Sequence, residues 1–135
     1  MRMPGNFFDT NILIYLASND VGKASRAHEL VQGGGAISVQ VLNEIANVGR
    51  RNGLAWAEIG SFIATLRELL NVHPLTAEIH ETGLALAERY KLSVYDSMIV
   101  ASALHADCDK LWSEDMHDGL TIGPLRLLNP FLNGR

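Results

Sequence analysis

The chain has 135 residues, the size of one domain around one core. Hydrophobic residues make up 47% and charged residues 19%, which excludes a disordered chain, and no apolar run reaches the ~20 residues of a membrane-spanning helix. Eleven Lys and Arg against fifteen Asp and Glu give a net charge of −4. That balance alone argues against a nucleic-acid partner, so the position of each acid becomes the thing to read.

The opening Met1-Arg2-Met3-Pro4-Gly5-Asn6 lacks the long apolar stretch and small-residue cleavage site of a secretory signal, and a cytoplasmic setting is the simplest expectation. Asn6-Phe7-Phe8 is a short apolar run ending at Asp9 and reads as the first strand. A short helix is expected over 12–17. A second, over 23–32, stops at Gly33-Gly34-Gly35. Ala36-Ile37 makes a brief second strand, and Ser38 is a good N-cap for a helix over Val39–Arg51, ended by Asn52-Gly53.

Residues 56–70 carry Ile59, Phe62, Ile63, Leu66, Leu69 and Leu70 on one side of a helix. Asn71-Val72-His73 is a third strand, Thr76 caps a helix reaching residue 90, and Asp96 opens another that ends at His105. Lys110-Leu111-Trp112 is a fourth strand and Leu125–Leu128 a last one. The single cysteine, Cys108, excludes an internal disulfide and a cysteine-built zinc site, and is expected to be buried and inert. Short strands separated by helices imply an α/β fold with a parallel sheet between two helical layers. Ligands of such sheets bind beyond the carboxyl ends of the strands.

Two acids fall at that rim. Asp9 closes the first strand, although Asp-Thr-Asn also suits a plain helix cap. Asp115 follows the fourth strand in Ser113-Glu114-Asp115-Met116-His117-Asp118, where a solvated loop is the ordinary explanation. On the helix after Ser38, Val41, Ile45 and Val48 form the core stripe. Glu44 lies about 40° from Val48 and about 60° from Val41, at the border of the buried face. A charge there needs a partner or an edge salt bridge. Asp96 stands in the first turn of a very apolar helix, where the helix dipole alone would favour it. Each acid has a bland explanation, but a parallel sheet can gather all of them. Carboxylates at close range repel one another, which a hard dication relieves.

Phe7-Phe8-Asp9-Thr10-Asn11-Ile12-Leu13, Asn43-Glu44, Tyr95-Asp96-Ser97-Met98-Ile99-Val100-Ala101 and Ser113-Glu114-Asp115-Met116 together resemble the PIN-domain family, in order and spacing and over nearly the whole chain. The likeness is nearest to VapC-type toxins of toxin–antitoxin pairs. It implies a single PIN domain over 1–135 with a three-layer α/β/α sandwich. It implies an acidic quartet of Asp9, Glu44, Asp96 and Asp115 holding Mg2+ or Mn2+. Thr10 or Asn11 would steady the first carboxylate, Ser113 would be a supporting residue in the Thr/Ser place two before the fourth acid, and Asp118 would be an additional acid. RNA as substrate, a VapB-type antitoxin and a homodimer are implied as well. A PIN-fold RNA-processing nuclease without an antitoxin, or a non-catalytic binding module, are the alternatives.

Arg50, Arg51 and Lys91 are candidate RNA contacts, each with an ordinary surface or helix-end role as the competing explanation. Trp56 and Trp112 read as packing residues. The five histidines show no metal-binding spacing, and His117 alone stands beside the acids. A receiver domain would want paired acids after the first strand, and a haloacid-type phosphatase would want Asp where Asn11 stands.

Overall fold

The apolar run that opens the chain becomes the middle of the molecule. The computed structural model describes residues 5–132. In chain order it contains β1 (Asn6–Phe8), α1 (Thr10–Tyr15), α2 (Val21–Gln32), β2 (Ala36–Ser38), α3 (Val39–Arg51), α4 (Trp56–Leu69) and β3 (Asn71–His73). Then follow α5 (Ala77–Tyr90), α6 (Val94–His105), β4 (Lys110–Trp112), β5 (Thr121–Ile122) and β6 (Leu125–Leu128). Met1 to Pro4, most of the stretch read against a secretory signal, lie outside the described residues.

The strands form one six-stranded sheet in the order β3-β2-β1-β4-β6-β5. Every neighbouring pair is parallel except β5 with β6. From β1 the chain steps outward to β2 and β3, then crosses back to place β4 on the other side of β1. The winding direction therefore reverses between β1 and β4, and right-handed crossovers put α1–α4 and α5–α6 on opposite faces. The carboxyl ends of β1 and β4 flank the crevice where ligands of open α/β sheets bind. Phe8 pairs with Trp112 at that end, and Asp9 N–H still donates to the Trp112 carbonyl at 3.0 Å.

Phe7, Phe8, Ile12, Leu13, Ile37, Val41 and Leu111 are wholly buried in the core. Helix α6 is apolar on every side, and its residues from Ser97 to Ala103 are all buried, as expected of a helix covered all round. Gly83 lets α5 come close to it: a Cβ there would meet Met98 Sδ at 2.6 Å. Gly35 is more constrained. Its φ is +151°, and an added Cβ would sit 2.7 Å from the Asn6 carbonyl oxygen and 2.8 Å from Phe8 Cε2. Gly35→Ala should therefore destabilise the fold by about 1–3 kcal/mol, read as a lower urea midpoint. An unchanged midpoint would show that β1 and β2 can separate freely.

Several details differ from the expectation. Helix α1 starts at Thr10, two residues early, because Asp9 caps it. Helix α6 starts at Val94, capped by Ser93, so Asp96 stands inside the first turn and does not open it. Ser38 occupies the N-cap position of α3 without making the cap bond, and its buried Oγ has no hydrogen-bond partner. The edge strand β5 was not expected, and Leu69 is 53% exposed. Cys108 is buried. Among the described residues, no helix is long and apolar enough to cross a membrane.

Candidate active site at the carboxyl rim of the sheet

A cavity of about 320 Å³ opens over the ends of β1 and β4 and is lined by Asp9, Thr10, Asn11, Glu44, Asp96 and Asp115, with Ile14, Asn47, Val48 and Arg51 completing the wall. Four carboxylates, spread over more than a hundred residues of chain, converge there. Asp9 comes from the end of β1, Glu44 from the middle of α3, Asp96 from the first turn of α6 and Asp115 from the loop after β4.

Asp9 is the most firmly held. It is only 4% exposed. Its Oδ1 accepts from the Thr10 N–H at 2.7 Å, and its Oδ2 accepts from Ser113 Oγ at 2.6 Å and Asn11 Nδ2 at 3.3 Å. It therefore both caps α1 and presents a carboxylate to the cavity. Asn11 Nδ2 also donates to Asp115 Oδ2 at 2.9 Å, while Asn11 Oδ1 accepts from the Glu114 N–H at 3.1 Å. One amide thus ties the acids of β1 and of the β4 loop together. The Thr10 hydroxyl does something else: it donates to Glu44 Oε2 at 2.5 Å, across 34 residues of sequence. Thr10 steadies Asp9 only through its backbone, and its side chain holds the α3 acid instead.

Burial pushes the Asp9 carboxyl up to about 6. The Ser113 and Thr10 hydrogen bonds pull it back, while the nearby Asp96 and Glu44 charges raise it further. A charge this costly to hold invites a cation. Among the described residues, no three His, Cys, Asp or Glu side chains are already gathered tightly enough to hold an ion. The donor set nonetheless suits a hard dication of magnesium type, which prefers oxygen ligands, keeps several of its waters and needs only one or two direct carboxylates. Asp9, Asp96 and Asp115, with Glu44 beside them, are the residues that would hold it.

The PIN-domain family model matches residues 7–117, most of the chain. The chain belongs to the PIN-domain family. No relative is found among curated protein sequences. Solved structures share the PIN fold. A toxin–antitoxin complex from Klebsiella pneumoniae is 24% identical, with a TM-score of 0.73, covering 93% of this chain and 98% of that one. A DNA-bound VapBC from Salmonella typhimurium is 19% identical, with a TM-score of 0.68, covering 93% and 97%. A VapC toxin from Mycobacterium tuberculosis, described as cleaving the sarcin-ricin loop, is 19% identical, with a TM-score of 0.65, covering 78% and 86%.

Of the other sequence candidates of this PIN domain, most lie elsewhere. Asp118 does not line the cavity; its Oδ1 accepts from the Asn129 N–H at 2.7 Å and braces the loop before β5 against the chain after β6. Glu114 also turns away, taking hydrogen bonds from Lys23 and from the Tyr15 hydroxyl. Burial works to raise the Glu114 carboxyl, but those two bonds outweigh it and hold it below its ordinary value. Arg51 reaches the cavity wall. Arg50 donates to the Leu54 carbonyl at 2.8 Å and lies 4.4 Å over the Trp56 ring. Trp56 is 68% exposed, contrary to the packing role expected of it, because it begins α4 outside the contact with the core. Lys91 sits exposed in a left-handed C-cap of α5 and does not line the cavity. Asn47 was missed. Its signal was available, since it stands one helical turn beyond Glu44 on the same side of α3.

Proposed function

We propose that this PIN domain is a metal-dependent endoribonuclease of the cytoplasm, the toxin of a VapBC-type toxin–antitoxin pair. The observation that carries the proposal is the convergence of Asp9, Glu44, Asp96 and Asp115 on one cavity, with Asp9 buried and clamped between Ser113 and Asn11. A bound magnesium or manganese ion supplies charge stabilisation for a scissile phosphate and lowers the pKa of an attacking water. The protein's part is to hold the acids in register. Ser113 and Asn11 orient Asp9, Thr10 orients Glu44, Asn11 couples Asp9 to Asp115, and Arg51 at the wall would meet the substrate's phosphate. An acid cavity without a bound cation would repel the phosphates of RNA.

The antitoxin part rests on a second cavity. An apolar groove of about 550 Å³ runs between α1, α3 and α4, lined by Ile14, Ile45, Val48, Leu54, Ile59 and Phe62 among others. Ile14 and Val48 line the acid cavity as well, so the two are continuous. An antitoxin segment with apolar anchors in the groove would carry an Arg or Lys into the acids, where charge-assisted bonds replace the metal. Such a segment would fold on binding. The toxin itself is expected to pair through a two-fold interface.

Partner-free protein should cut single-stranded RNA with Mg2+ or Mn2+, leaving 5′-phosphate and 3′-hydroxyl ends, and stop on addition of EDTA. Cleavage that survives thorough chelation, or 2′,3′-cyclic phosphate ends, sinks the proposed chemistry. Co-expression with the product of an adjacent small gene should yield an inactive complex. If the chain expresses alone without growth arrest and co-purifies with nothing, the toxin assignment is lost while the nuclease assignment stands.

A further inference from the structure

Beyond Glu44, on the side away from Asp9, lies a third cavity of about 430 Å³, lined by Gln40, Asn43, Glu44, Asn47, Leu75 and Tyr95. It shares Glu44 and Asn47 with the acid cavity, so a chain entering one passes directly into the other. Its floor is a row of amides: Gln40, Asn43 and Asn47 fall at successive turns along one side of α3. Buried Gln40 donates through Nε2 to the Tyr95 carbonyl at 3.0 Å, which fixes the start of α6 against α3 and so fixes where Tyr95 stands. Asn43 is exposed and, among the described residues, its amide has no protein partner; the same holds for Asn47. Tyr95 is 70% exposed and Leu75 45% exposed, both at the cavity's edge.

We propose that this cavity is a subsite for one unpaired nucleobase of the RNA, next to the scissile phosphate. The proposal rests on the nuclease assignment above and adds residues and a ligand class to it. Charge favours a base over a phosphate here. The chain carries net −4 and the neighbouring cavity is acidic, so the grip on RNA that basic proteins obtain from phosphates is weak. Neutral amides beside an exposed aromatic ring are the groups that bind unpaired bases, through hydrogen bonds to the base edge and through stacking. A base paired in an A-form helix has its Watson–Crick edge occupied, its other major-groove edge in a groove too deep and narrow for side chains, and its faces stacked, so Asn43, Asn47 and Tyr95 could not grip it. The subsite therefore selects single-stranded or flipped-out nucleotides at one side of the cut.

The test measures steady-state cleavage of a short single-stranded oligoribonucleotide, and of the same oligonucleotide made abasic at the residue on either side of the cut. Wild type is compared with Tyr95→Ala and with Asn43→Ala. These side chains are exposed, and unchanged melting temperatures confirm intact folds. On the intact oligonucleotide each variant should raise KM about tenfold, the scale of one lost base contact, with kcat little changed. On one abasic oligonucleotide, wild type and variants should perform alike. Variants that lose as much on both abasic oligonucleotides as on the intact one overturn the subsite. So does a fall in kcat with KM unchanged. The apolar edge of Leu75, Val94 and Tyr95 could instead be covered by a second copy of the chain. If Tyr95→Ala turns a dimer into a monomer and weakens cleavage of every oligonucleotide equally, the face is an interface and the proposal falls. If wild type cuts nothing, the nuclease assignment itself has failed. Fluorescence anisotropy of the labelled oligonucleotide then decides the subsite separately: tighter binding by wild type than by Tyr95→Ala keeps it, and equal binding ends it.

Discussion

Asp9→Asn and Asp96→Asn should each lower RNA cleavage by more than about 100-fold, the upper end of what loss of a supporting contact around a metal costs. Asparagine keeps the shape of aspartate and loses the charge. At position 9 its side-chain oxygen can still accept from the Thr10 N–H or from Ser113, so α1 remains capped and the fold persists. Ser113→Ala should fall in the range of about 10- to 100-fold, since it removes the support of Asp9 and leaves the carboxylate. Asp118→Asn should be mild for cleavage, because its carboxylate braces Asn129 outside the cavity. Rates for wild type, these four variants and Asp115→Asn under saturating Mg2+ make the comparison. A dead Asp118→Asn beside a fully active Asp115→Asn would reassign the acids of that loop.

Metal-free wild-type protein should lose about 2–3 kcal/mol of stability between roughly pH 4 and pH 6, and Asp9→Asn should not lose it. The sign follows from the carboxyl itself. Folding raises it from 3.8 to about 6, so within that window the folded chain holds its proton more tightly than the unfolded chain. The stabilisation is complete below the unfolded value and is gone once the pH passes the folded one. At pH 8 the buried anion is a burden that asparagine does not carry, and Asp9→Asn should be the more stable protein in EDTA. Urea melts at pH 4 and pH 8 check this; a wild type that outlasts the variant at pH 8 without metal would show that Asp9 is better compensated than its surroundings indicate. Adding Mg2+ at pH 8 should raise the melting point of wild type far more than that of the variant, because a ligand bound only by the folded state stabilises it. Below pH 6, a proton competes for Asp9 and the metal requirement for cleavage should climb.

What the sequence revealed of this site depended on how local each cause was. Asp9 was legible because an apolar run ends on it, and Glu44 because its angle to Val41 and Val48 on one helix can be counted. The start of α1 was misplaced because the carboxylate that lines the cavity is also the helix cap. The partner of Thr10 was not legible at all: no short-range pattern connects residue 10 to residue 44, and only the contact of α1 with α3 brings them together. Strand β5 is two residues long and held by a hairpin with β6, too short for any alternation to show. Trp56 was misread because residue type predicts burial on average, while its place at the first turn of α4 leaves the ring outside, under Arg50.

The Ser113–Asp9 bond joins groups 104 residues apart in the chain, and Asn11 bridges to Asp115 across the same span. Contacts of such long range form late, since the loop they close must be ordered before they contribute anything. A chain still emerging from the ribosome has Asp9 and Glu44 outside long before Asp115 is made, and at that stage the strand that would seat the fourth acid does not exist. The rim is therefore incomplete in every nascent chain. Any cleavage that needs all four acids therefore waits until β4 has inserted beside β1.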